Sequence, residues 1–402
     1  MKTLAALLLA LLSLTAACGD RKRAKPTAPP VDAGRPAPDA APPPAFAAEE
    51  VRAGDGVTCA RTAAGTVHCF GAGDDGALGL GAALSLDRPG APVTGLADAK
   101  RIVLAGKAAC ALRATGEVAC WGANAGRLGD GTADARREPA AMTGITGATG
   151  VALGATNGCV LVAGEARCSG DNSSGQLGAA AGVSPSLAPV ATARGLAGVA
   201  ELAVGEGAIC ARLEAGTVRC WGSNLDNRLG HRPLVEKKVP RSEKPVDATG
   251  LDSAIALTGE GGHFCAIRRG GEVYCWGANP HGQLGEGTQQ ARWVPTPVLG
   301  LTEVINVDVS ASHSCAVTYS GKVYCWGKNS DGQLGDGTTD DKNRVTAVAG
   351  LPADITQVSA GAAHSCAVAK SGTVYCWGAN RSGELGAGVK DERLGRPHVV
   401  LK

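Results

Sequence analysis

Fourteen of the 15 cysteines in this sequence form pairs whose spacing suits disulfide, metal or redox chemistry. In each pair the two cysteines are nine or ten positions apart, and Trp-Gly follows the second cysteine in five pairs. Structural zinc sites generally join close-set Cys-x2–4-Cys pairs, whereas these pairs are wider and recur in isolation. They are therefore candidates for disulfides, with zinc binding as the competing interpretation. The pairs are Cys59 with Cys69, Cys110 with Cys120, Cys159 with Cys168, Cys210 with Cys220, Cys265 with Cys275, Cys315 with Cys325 and Cys366 with Cys376.

A β-hairpin is the element that would position such a pair. If residues 319–321 form a three-residue loop, Cys315 lies directly opposite Cys325. The third loop position then requires a positive φ, and Gly321 occupies it. Opposed cysteines on antiparallel strands are close enough to bridge, best at a pair without backbone hydrogen bonds. In the third pair, which is one residue shorter, a two-residue loop at Ala163-Gly164 keeps the cysteines opposed.

The pairs mark an internal repeat, because their first cysteines recur every 49 to 55 residues. Each unit contains an apolar segment, the cysteine hairpin, Asn-x-x-Gly-x-Leu-Gly and a Pro-x-x-Val segment, which predicts about four short strands. The run Val323-Tyr324-Cys325-Trp326 is apolar without alternation, so both faces of that strand should be buried. Blades stacked around an axis supply this burial, as in β-propellers, so the repeat predicts an all-β ring of blades.

Composition narrows the functional classes. The 402 residues carry a formal net charge of +2 and are 44% hydrophobic, which suits a large core and gives no sign of nucleic-acid binding. After the N-terminus, no stretch approaches the ~18–20 apolar residues of a membrane span.

The N-terminus predicts export. Residues 1–17 resemble a signal peptide, and Ala16-Ala17-Cys18 resembles the lipobox of bacterial lipoproteins, although Thr15 replaces the usual leucine. Lipidation of Cys18 would leave 14 cysteines, all of them paired; an ordinary signal peptide with an incidental cysteine is the alternative. Residues 18–48 then form the lipid attachment site and a Pro/Ala-rich linker, ahead of the repeat domain at 49–402.

The segments Trp276 to Thr288 and Trp326 to Thr338, Trp-Gly-x-Asn-x-x-Gly-Gln-Leu-Gly-x-Gly-Thr, resemble the repeat of the regulator-of-chromosome-condensation family. The likeness covers about residues 50–402 and implies a seven-bladed propeller, with both termini expected in one blade that closes the ring. The founding member is an exchange factor for a small nuclear GTPase and binds chromatin. Both activities belong to inserted loops and tails that find no match here, so exchange activity is the weakest alternative.

Cysteine at both hairpin positions separates this chain from the cytosolic and nuclear members of that family. Fourteen paired cysteines behind an export signal predict seven disulfides, one within each blade, formed in an oxidising compartment.

Three histidines occupy one repeat position, two residues before the first cysteine. His263, His313 and His364 could form a metal or anion site on one side of the ring, or bond to backbone as part of the repeat. Calcium is a second possibility, but the spacing of the acidic residues does not fit the Asp-x-Asp-x-Asp-Gly pattern, and aspartate beside glycine is common in turns. The acidic residues are Asp331, Asp336, Asp340 and Asp341. No cofactor or metal is therefore assigned.

The longest insertion between units, from Leu225 to Asp247, is the candidate binding loop because it breaks the symmetry of the ring. Its basic residues are Arg228, Arg232, Lys237, Lys238, Arg241 and Lys244. A solvated loop without a ligand is the alternative. An enzyme could instead collect carboxylates from several blades around the central channel.

These observations predict a non-catalytic scaffold that binds protein or surface glycan. We expect a monomer that is exported and lipid-anchored to the bacterial cell envelope, at the outer membrane or cell surface, with no nucleic-acid partner. The principal alternative is an envelope enzyme with an active site on the channel face.

Overall fold

The structure, a computed structural model, describes residues 47–178, 185–191, 196–231, 240–388 and 393–401. The predicted signal peptide, the lipid site at Cys18 and the linker up to residue 46 lie outside these residues. Within the described residues, no helix combines the length and hydrophobicity needed to cross a membrane.

Strands of five to nine residues form seven antiparallel sheets, which are the blades. Blade 1 contains β1 (Ala48–Ala53), β2 (Val57–Thr62) and β3 (Val67–Gly71). Blade 2 contains β4 (Ala99–Ala105), β5 (Ala108–Arg113), β6 (Val118–Gly122) and β7 (Arg136–Ala141). Blade 3 contains β8 (Ala148–Leu153), β9 (Asn157–Val162), β10 (Glu165–Gly170) and β11 (Ser186–Ala191). Blade 4 contains β12 (Val199–Val204), β13 (Ala208–Leu213), β14 (Val218–Ser223) and β15 (Arg241–Asp247).

The remaining blades follow the same order. Blade 5 contains β16 (Ala254–Glu260), β17 (His263–Arg268), β18 (Val273–Gly277) and β19 (Arg292–Pro297). Blade 6 contains β20 (Val304–Val309), β21 (His313–Thr318), β22 (Val323–Gly327) and β23 (Lys342–Ala347). Blade 7 contains β24 (Ile355–Ala360), β25 (His364–Ala369), β26 (Val374–Ala379) and β27 (Arg393–Leu401). Two 3-10 turns, Asp74–Gly76 and Leu225–Asn227, complete the described elements.

The seven-bladed, all-β prediction is confirmed, and six of the seven blades have the expected four strands. In blade 1 the fourth segment forms an isolated bridge between Gly71 and Leu86 in place of a strand. The middle strands of a blade are more buried than the outer strand: in blade 6 every residue of β21 is buried, whereas the outer strand β23 is partly exposed. The polar sequences of the outer strands follow from their position at the rim.

The cysteine hairpins have the predicted register. The Thr318 N–H donates to the Lys322 carbonyl at 3.0 Å, and Gly321 has a φ of 73°. Cys315 pairs with Cys325, with their Cα atoms 4.1 Å apart. In the shorter third hairpin, Cys159 still pairs with Cys168, so the loop lost one residue without losing the bridge.

The prediction of one disulfide within each blade is confirmed, and all 14 of these cysteines are fully buried. In every blade the bridge joins the second strand to the third, at directly opposed positions of the hairpin. Zinc, the competing interpretation of the pairs, has no free thiolate to bind among them. The bridges are Cys59 with Cys69, Cys110 with Cys120, Cys159 with Cys168, Cys210 with Cys220, Cys265 with Cys275, Cys315 with Cys325 and Cys366 with Cys376.

The core lies between blades, where the tryptophans pack on the preceding repeat. The Trp326 indole donates to the Gln283 carbonyl at 2.7 Å and is fully buried. Gly285, at a φ of 68°, lies beneath this ring, and a Cβ there would be 2.8 Å from the indole nitrogen. The glycine of the Leu-Gly sequence is therefore required because the tryptophan of the next blade leaves no room for a Cβ.

The prediction that both termini meet in one blade is wrong. β1 pairs with β2 in blade 1, and β27 pairs with β26 in blade 7, so each blade is built from one contiguous repeat. Every repeat begins with an inner strand and ends with an outer one, so no strand is exchanged between blades. The ring therefore closes by contacts between blades 7 and 1. The Ala48 N–H, for example, donates to the Gly372 carbonyl at 3.0 Å.

Candidate functional site

The ring has two faces and a central channel. The hairpin face carries the loops of the cysteine hairpins and the starts of the inner strands. The two lie together because the N–H of Ala99, where β4 starts, donates at 3.0 Å to the carbonyl of Gly65 in the first hairpin loop. The motif face carries the Asn-x-x-Gly loops and the ends of the inner strands, as the ion pair between Lys107 and Asp74 shows. One residue from each blade illustrates the channel lining: Arg52, Arg101, Val151, Leu202, Thr258, Asp308 and Ser359.

The Asn-x-x-Gly-x-Leu motif stabilises its own loop. The Asn329 amide oxygen accepts the Leu334 N–H at 3.0 Å, and its amide nitrogen donates to the Thr338 carbonyl at 3.1 Å. In the second unit, which is one residue short, Asn124 accepts the Leu128 N–H instead, at 3.1 Å. The motif therefore has a structural role in these units.

The four aspartates considered for calcium do not act together. Asp331 forms an ion pair with Arg381 at 2.6 Å, and Asp336 accepts the Thr338 N–H at 2.9 Å. Asp341 accepts the Asn329 N–H at 2.8 Å and lies 2.9 Å from a ring nitrogen of His281. Among the described residues, no group of three or more His, Cys, Asp or Glu side chains is arranged to hold a metal.

The three repeat histidines lie between blades, fully buried, and each bonds to a hydroxyl of the next blade. Each hydroxyl in turn donates to a backbone carbonyl, so the contact extends from one blade into the next. The prediction that these histidines bond to backbone is therefore wrong, because each of them bonds to a hydroxyl side chain. The contacts are His263 Nε2–Ser314 Oγ at 2.9 Å, His313 Nε2–Ser365 Oγ at 2.8 Å and His364 Nε2–Thr58 Oγ1 at 2.8 Å.

This arrangement fixes the histidine tautomer. Ser314 has one hydroxyl hydrogen and donates it to the Gln283 carbonyl at 2.9 Å, so His263 Nε2 must be the donor to Ser314. A second proton would occupy the buried Nδ1. Burial consequently lowers the pKa of His263 and His313 to about 3 and that of His364 to about 4. All three imidazoles are neutral at physiological pH, as a hydrogen-bonded interface requires.

Charged side chains from several blades converge on the channel. Arg52 forms an ion pair with Glu50 at 3.0 Å and lies 3.9 Å from Asp308 of blade 6. Asp308 also accepts the Ser359 hydroxyl at 2.9 Å. The sequence-based alternative of carboxylates gathered around the channel therefore has a structural counterpart in Asp308 of blade 6 and Glu50 of blade 1.

Glu260 lies at the motif-face end of the channel, where β16 ends. Burial within the channel, and then the negative charge of Asp308, raise the pKa of Glu260 to about 8, and Arg127 opposes the rise. The carboxyl group of Glu260 is therefore largely protonated at neutral pH.

The predicted binding loop divides into distinct parts. Residues 241–247 form the outer strand β15, and Arg228 is buried at the interface of blades 4 and 5. Its guanidinium donates to the Leu225 carbonyl at 2.7 Å, and its own carbonyl accepts the Trp276 indole at 3.0 Å, so Arg228 is no longer a candidate for ligand contact. Arg241 and Lys244 are exposed. Arg232, Lys237 and Lys238 lie outside the described residues.

The channel charges were not named from the sequence, although a signal for them exists. Glu50, Arg52, Arg101, Glu201 and Asp308 are charged residues in inner strands that are otherwise largely apolar. A charge in such a strand indicates either an interface contact or a channel-facing side chain.

Comparisons with known proteins agree with this architecture. A family model described as the RCC1-like domain matches residues 143–401. The human E3 ubiquitin-protein ligase HERC2 is 31% identical over 255 residues, covering 61% of this chain and 5% of the ligase. The Arabidopsis thaliana ultraviolet-B receptor UVR8 is 29% identical over 189 residues, covering 45% of this chain and 42% of the receptor. The chain thus spans less than half the length of these relatives.

Two solved structures share the fold. Human WBSCR16 superposes with a TM-score of 0.69 at 23% identity, covering 80% of this chain and 86% of that one. Saccharomyces cerevisiae Prp20p superposes with a TM-score of 0.70 at 20% identity, covering 89% and 88%. The family model covers well over half of the chain, so the chain belongs to the RCC1-like domain family.

Proposed function

We propose that this chain is an exported, lipid-anchored scaffold of the bacterial cell envelope that binds protein or surface glycan without catalysis. The observation that carries the proposal is the set of seven buried disulfides, one in each blade. Disulfides persist in oxidising compartments, and the sequence begins with a segment resembling a lipoprotein signal. A ring braced in this way holds its surface loops at little entropic cost on binding.

Protein binding is supported by what relatives of this fold bind. The Prp20p structure is described together with its binding to Gsp1p and histones, and yeast RCC1 (Prp20) has been solved bound to Kap60. These partners belong to those proteins; for this chain they support only the general class of a protein-binding propeller.

The motif face is the binding face that we propose, since its loops vary most in length and sequence between repeats. Arg241 and Lys244 lie on the outer strand of blade 4, with Arg241 next to this face. Lys322 and Lys370 are exposed on the cysteine hairpins of the opposite face and provide a matched pair of the same charge.

The test is retention of envelope proteins and glycans on the immobilised mature chain. A double variant with Arg241→Ser and Lys244→Ser should lose a retained ligand, whereas the variant with Lys322→Ser and Lys370→Ser should keep it. Equal loss in both variants would contradict a motif-face site, and repeated failure to retain any ligand would count against the scaffold itself.

The anchor and the compartment have separate tests. Cys18→Ser should release the protein from membranes and remove the lipid mass; unchanged membrane association would refute the anchor. Alkylation without reductant should leave the intact mass of the mature protein unchanged, and several modified thiols would refute an oxidising location.

A channel-face enzyme is a second candidate because of Glu260. Burial raises its pKa to about 8, and Glu260 lines the same channel as Asp308. Buried carboxyl groups with a raised pKa are frequent at catalytic sites. Reproducible turnover of envelope glycans or peptides that is lost in both Glu260→Gln and Asp308→Asn would support the enzyme and contradict the non-catalytic scaffold.

A further inference from the structure

The inner strands contain a repeated contact that links neighbouring blades. In each blade the residue of the inner strand that pairs with the first cysteine forms a hydrogen-bonded pair with it, as Arg52 does with Cys59 in blade 1. The N–H of the residue before it, Val51 in blade 1, therefore points away from its own sheet. In four blades this N–H donates to a side chain of the preceding blade. The contacts are Val51 to Gln357 at 3.1 Å, Ile102 to Glu50 at 3.1 Å, Leu257 to Glu201 at 2.9 Å and Val358 to Asn306 at 2.9 Å.

Two neighbouring blades, 2 and 3, lack the accepting side chain. The strand registers place Arg101 and Gly150 at the accepting position of these blades, and Ala256 at that of blade 5. A guanidinium has no acceptor and glycine has no side chain. Within the described part of the chain, the N–H groups of Val151 and Leu202 therefore have no side-chain acceptor from the preceding blade.

The missing side chain leaves a cavity of about 210 Å³ on the hairpin face, lined by residues of blades 2, 3, 4 and 5. This volume is below the ~300–1,000 Å³ of sites for drug-sized ligands, so the cavity suits a small molecule. Leu161, Leu202 and the exposed Ile255 supply apolar walls.

Arg101 carries the charge of this cavity that has no partner among the described residues. Among the described residues, no hydrogen bond or ion pair engages its guanidinium, and its side chain remains accessible to solvent. By contrast, the cavity's second arginine, Arg212, donates to Glu201 at 3.1 Å. The surrounding channel wall and the nearby Arg52 lower the pKa of Arg101, so an anion beside it would relieve an unfavourable charge.

Charge selects the type of anion. The lining contains Arg101, Arg212 and Glu201, a sum of one positive charge, which a single negative charge neutralises. A dianionic phosphate would leave an excess negative charge close to Glu201.

We propose that this cavity binds a small aliphatic monocarboxylate through the Arg101 guanidinium and the Leu202 N–H, with the aliphatic part against Ile255. The source is either a free short-chain acid or the C-terminal carboxylate of a peptide. The site lies on the face opposite to the proposed loop-binding surface, so its failure would leave the scaffold proposal untouched.

The experiment is calorimetric titration of the full chain with butyrate, its neutral counterpart butyramide, inorganic phosphate, and a short valine-terminated peptide as free acid or amide. Butyrate or the free-acid peptide should bind, and whichever binds more tightly identifies the source. Arg101→Gln should weaken binding at least about tenfold through the loss of charge-assisted hydrogen bonds. Gln357 occupies the equivalent position in blade 7, so this variant should fold.

A second variant fills the cavity without removing the charge. Gly150→Asn reproduces the residue type of Asn306, and an added Cβ would meet Leu161 at an ordinary 3.4 Å. This variant should also lose binding, because the amide occupies the space and accepts the Leu202 N–H. Lys100→Gln, a neighbouring exposed lysine outside the cavity, should change binding by less than about twofold.

Four results would overturn the proposal: no saturable carboxylate binding at millimolar concentration, equal binding of butyramide, tighter binding of phosphate, or equal weakening by Lys100→Gln and Arg101→Gln.

Discussion

The interfaces on the two sides of the ring are built differently. Between blades 5 and 6, 6 and 7, and 7 and 1, a buried histidine bonds to a serine or threonine of the next blade. The interfaces between blades 1 and 2 and between blades 4 and 5 have apolar residues at these two positions. They are Val57 of blade 1 with Ala109 of blade 2, and Ala208 of blade 4 with Phe264 of blade 5. In these five interfaces polar residues face polar residues and apolar residues face apolar ones, whereas between blades 3 and 4 the polar Asn157 is followed by Ile209.

The channel follows the same division. Arg52, Thr258, Asp308 and Ser359 line the side formed by blades 5, 6, 7 and 1, whereas Val103, Ala152 and Ala203 line the side formed by blades 2, 3 and 4 at the equivalent position. The polar side is cross-linked by hydrogen bonds between blades, and the apolar side contains the Gly150 cavity. The regular repeats thus stabilise the ring, and the irregular repeats leave space for a ligand.

One contact is common to both sides: a donor from each blade reaches the same backbone carbonyl of the preceding repeat. Five tryptophans make it, and Ser169 replaces them in blade 3, donating to the Arg127 carbonyl at 3.2 Å. In blade 1, Thr58 performs this role toward the Glu384 carbonyl at 2.7 Å, next to Phe70. The comparison between the two sides can be tested by disrupting shared and unshared contacts in turn.

Removing a tryptophan should have the largest effect, and the same effect on both sides. Trp326→Ala and Trp121→Ala each delete a fully buried indole, which typically costs about 3–5 kcal/mol of unfolding free energy. Denaturant unfolding of the oxidised protein measures both losses. A much smaller loss for Trp121→Ala would show that the apolar side of the ring is already loosely packed.

Removing a disulfide should have the next largest effect, again on both sides. Replacing Cys315 and Cys325 together with alanine, or Cys159 and Cys168 together, opens a loop of about ten residues and should cost roughly 2–3 kcal/mol. Thermal unfolding of the two double variants provides the measurement. Stability unchanged in either one would mean that its bridge does not constrain the unfolded chain.

The histidines should make the two sides respond differently to acid. Their folded pKa values of about 3 and 4 lie below the unfolded value of 6.5, so their contribution is complete above pH 6.5 and is lost as pH falls toward pH 3. Each histidine should cost roughly 1 kcal/mol per pH unit across this range.

His313→Leu tests that slope. Unfolding free energies measured between pH 7 and pH 5 should fall less steeply with acid in this variant, although its stability at pH 7 is lower. His398→Leu, which removes an exposed histidine of β27, is the matched control and should keep the wild-type slope. An unchanged slope in His313→Leu would contradict the buried neutral state.

Glu260 should give the smallest effect and the opposite sign. Its folded pKa of about 8 exceeds the unfolded value of 4.5, so its contribution is complete below pH 4.5 and is lost as pH rises toward pH 8. Glu260→Gln, which mimics the protonated form, should therefore gain stability relative to wild type between pH 5 and pH 8. Because the channel admits water, we expect a gain of roughly 1 kcal/mol, measured by thermal unfolding at both pH values. A loss at pH 8 would show that the carboxylate is stabilised by the channel.

Arg228 shows where inference from residue type fails. As a basic residue in the longest insertion, it resembled a ligand contact, yet its guanidinium is buried against carbonyls at a blade interface. Arg101 shows the converse, since an arginine in an inner strand of the described ring is left without a partner. Sequence gives the charge of a residue, but burial depends on which neighbouring repeat lies against it.

The sequence by itself determined the local geometry: the hairpin register, the loop glycine at Gly321, the pairing of Cys315 with Cys325 and the number of blades. These features depend on contacts within about ten residues or on a repeat that can be counted. Only the tertiary structure decided the partners of the histidines, the gap over Gly150 and the closure of the ring between two separate blades. Such contacts join residues one or more repeats apart, and they exist only once the curvature of the ring brings each blade against the next.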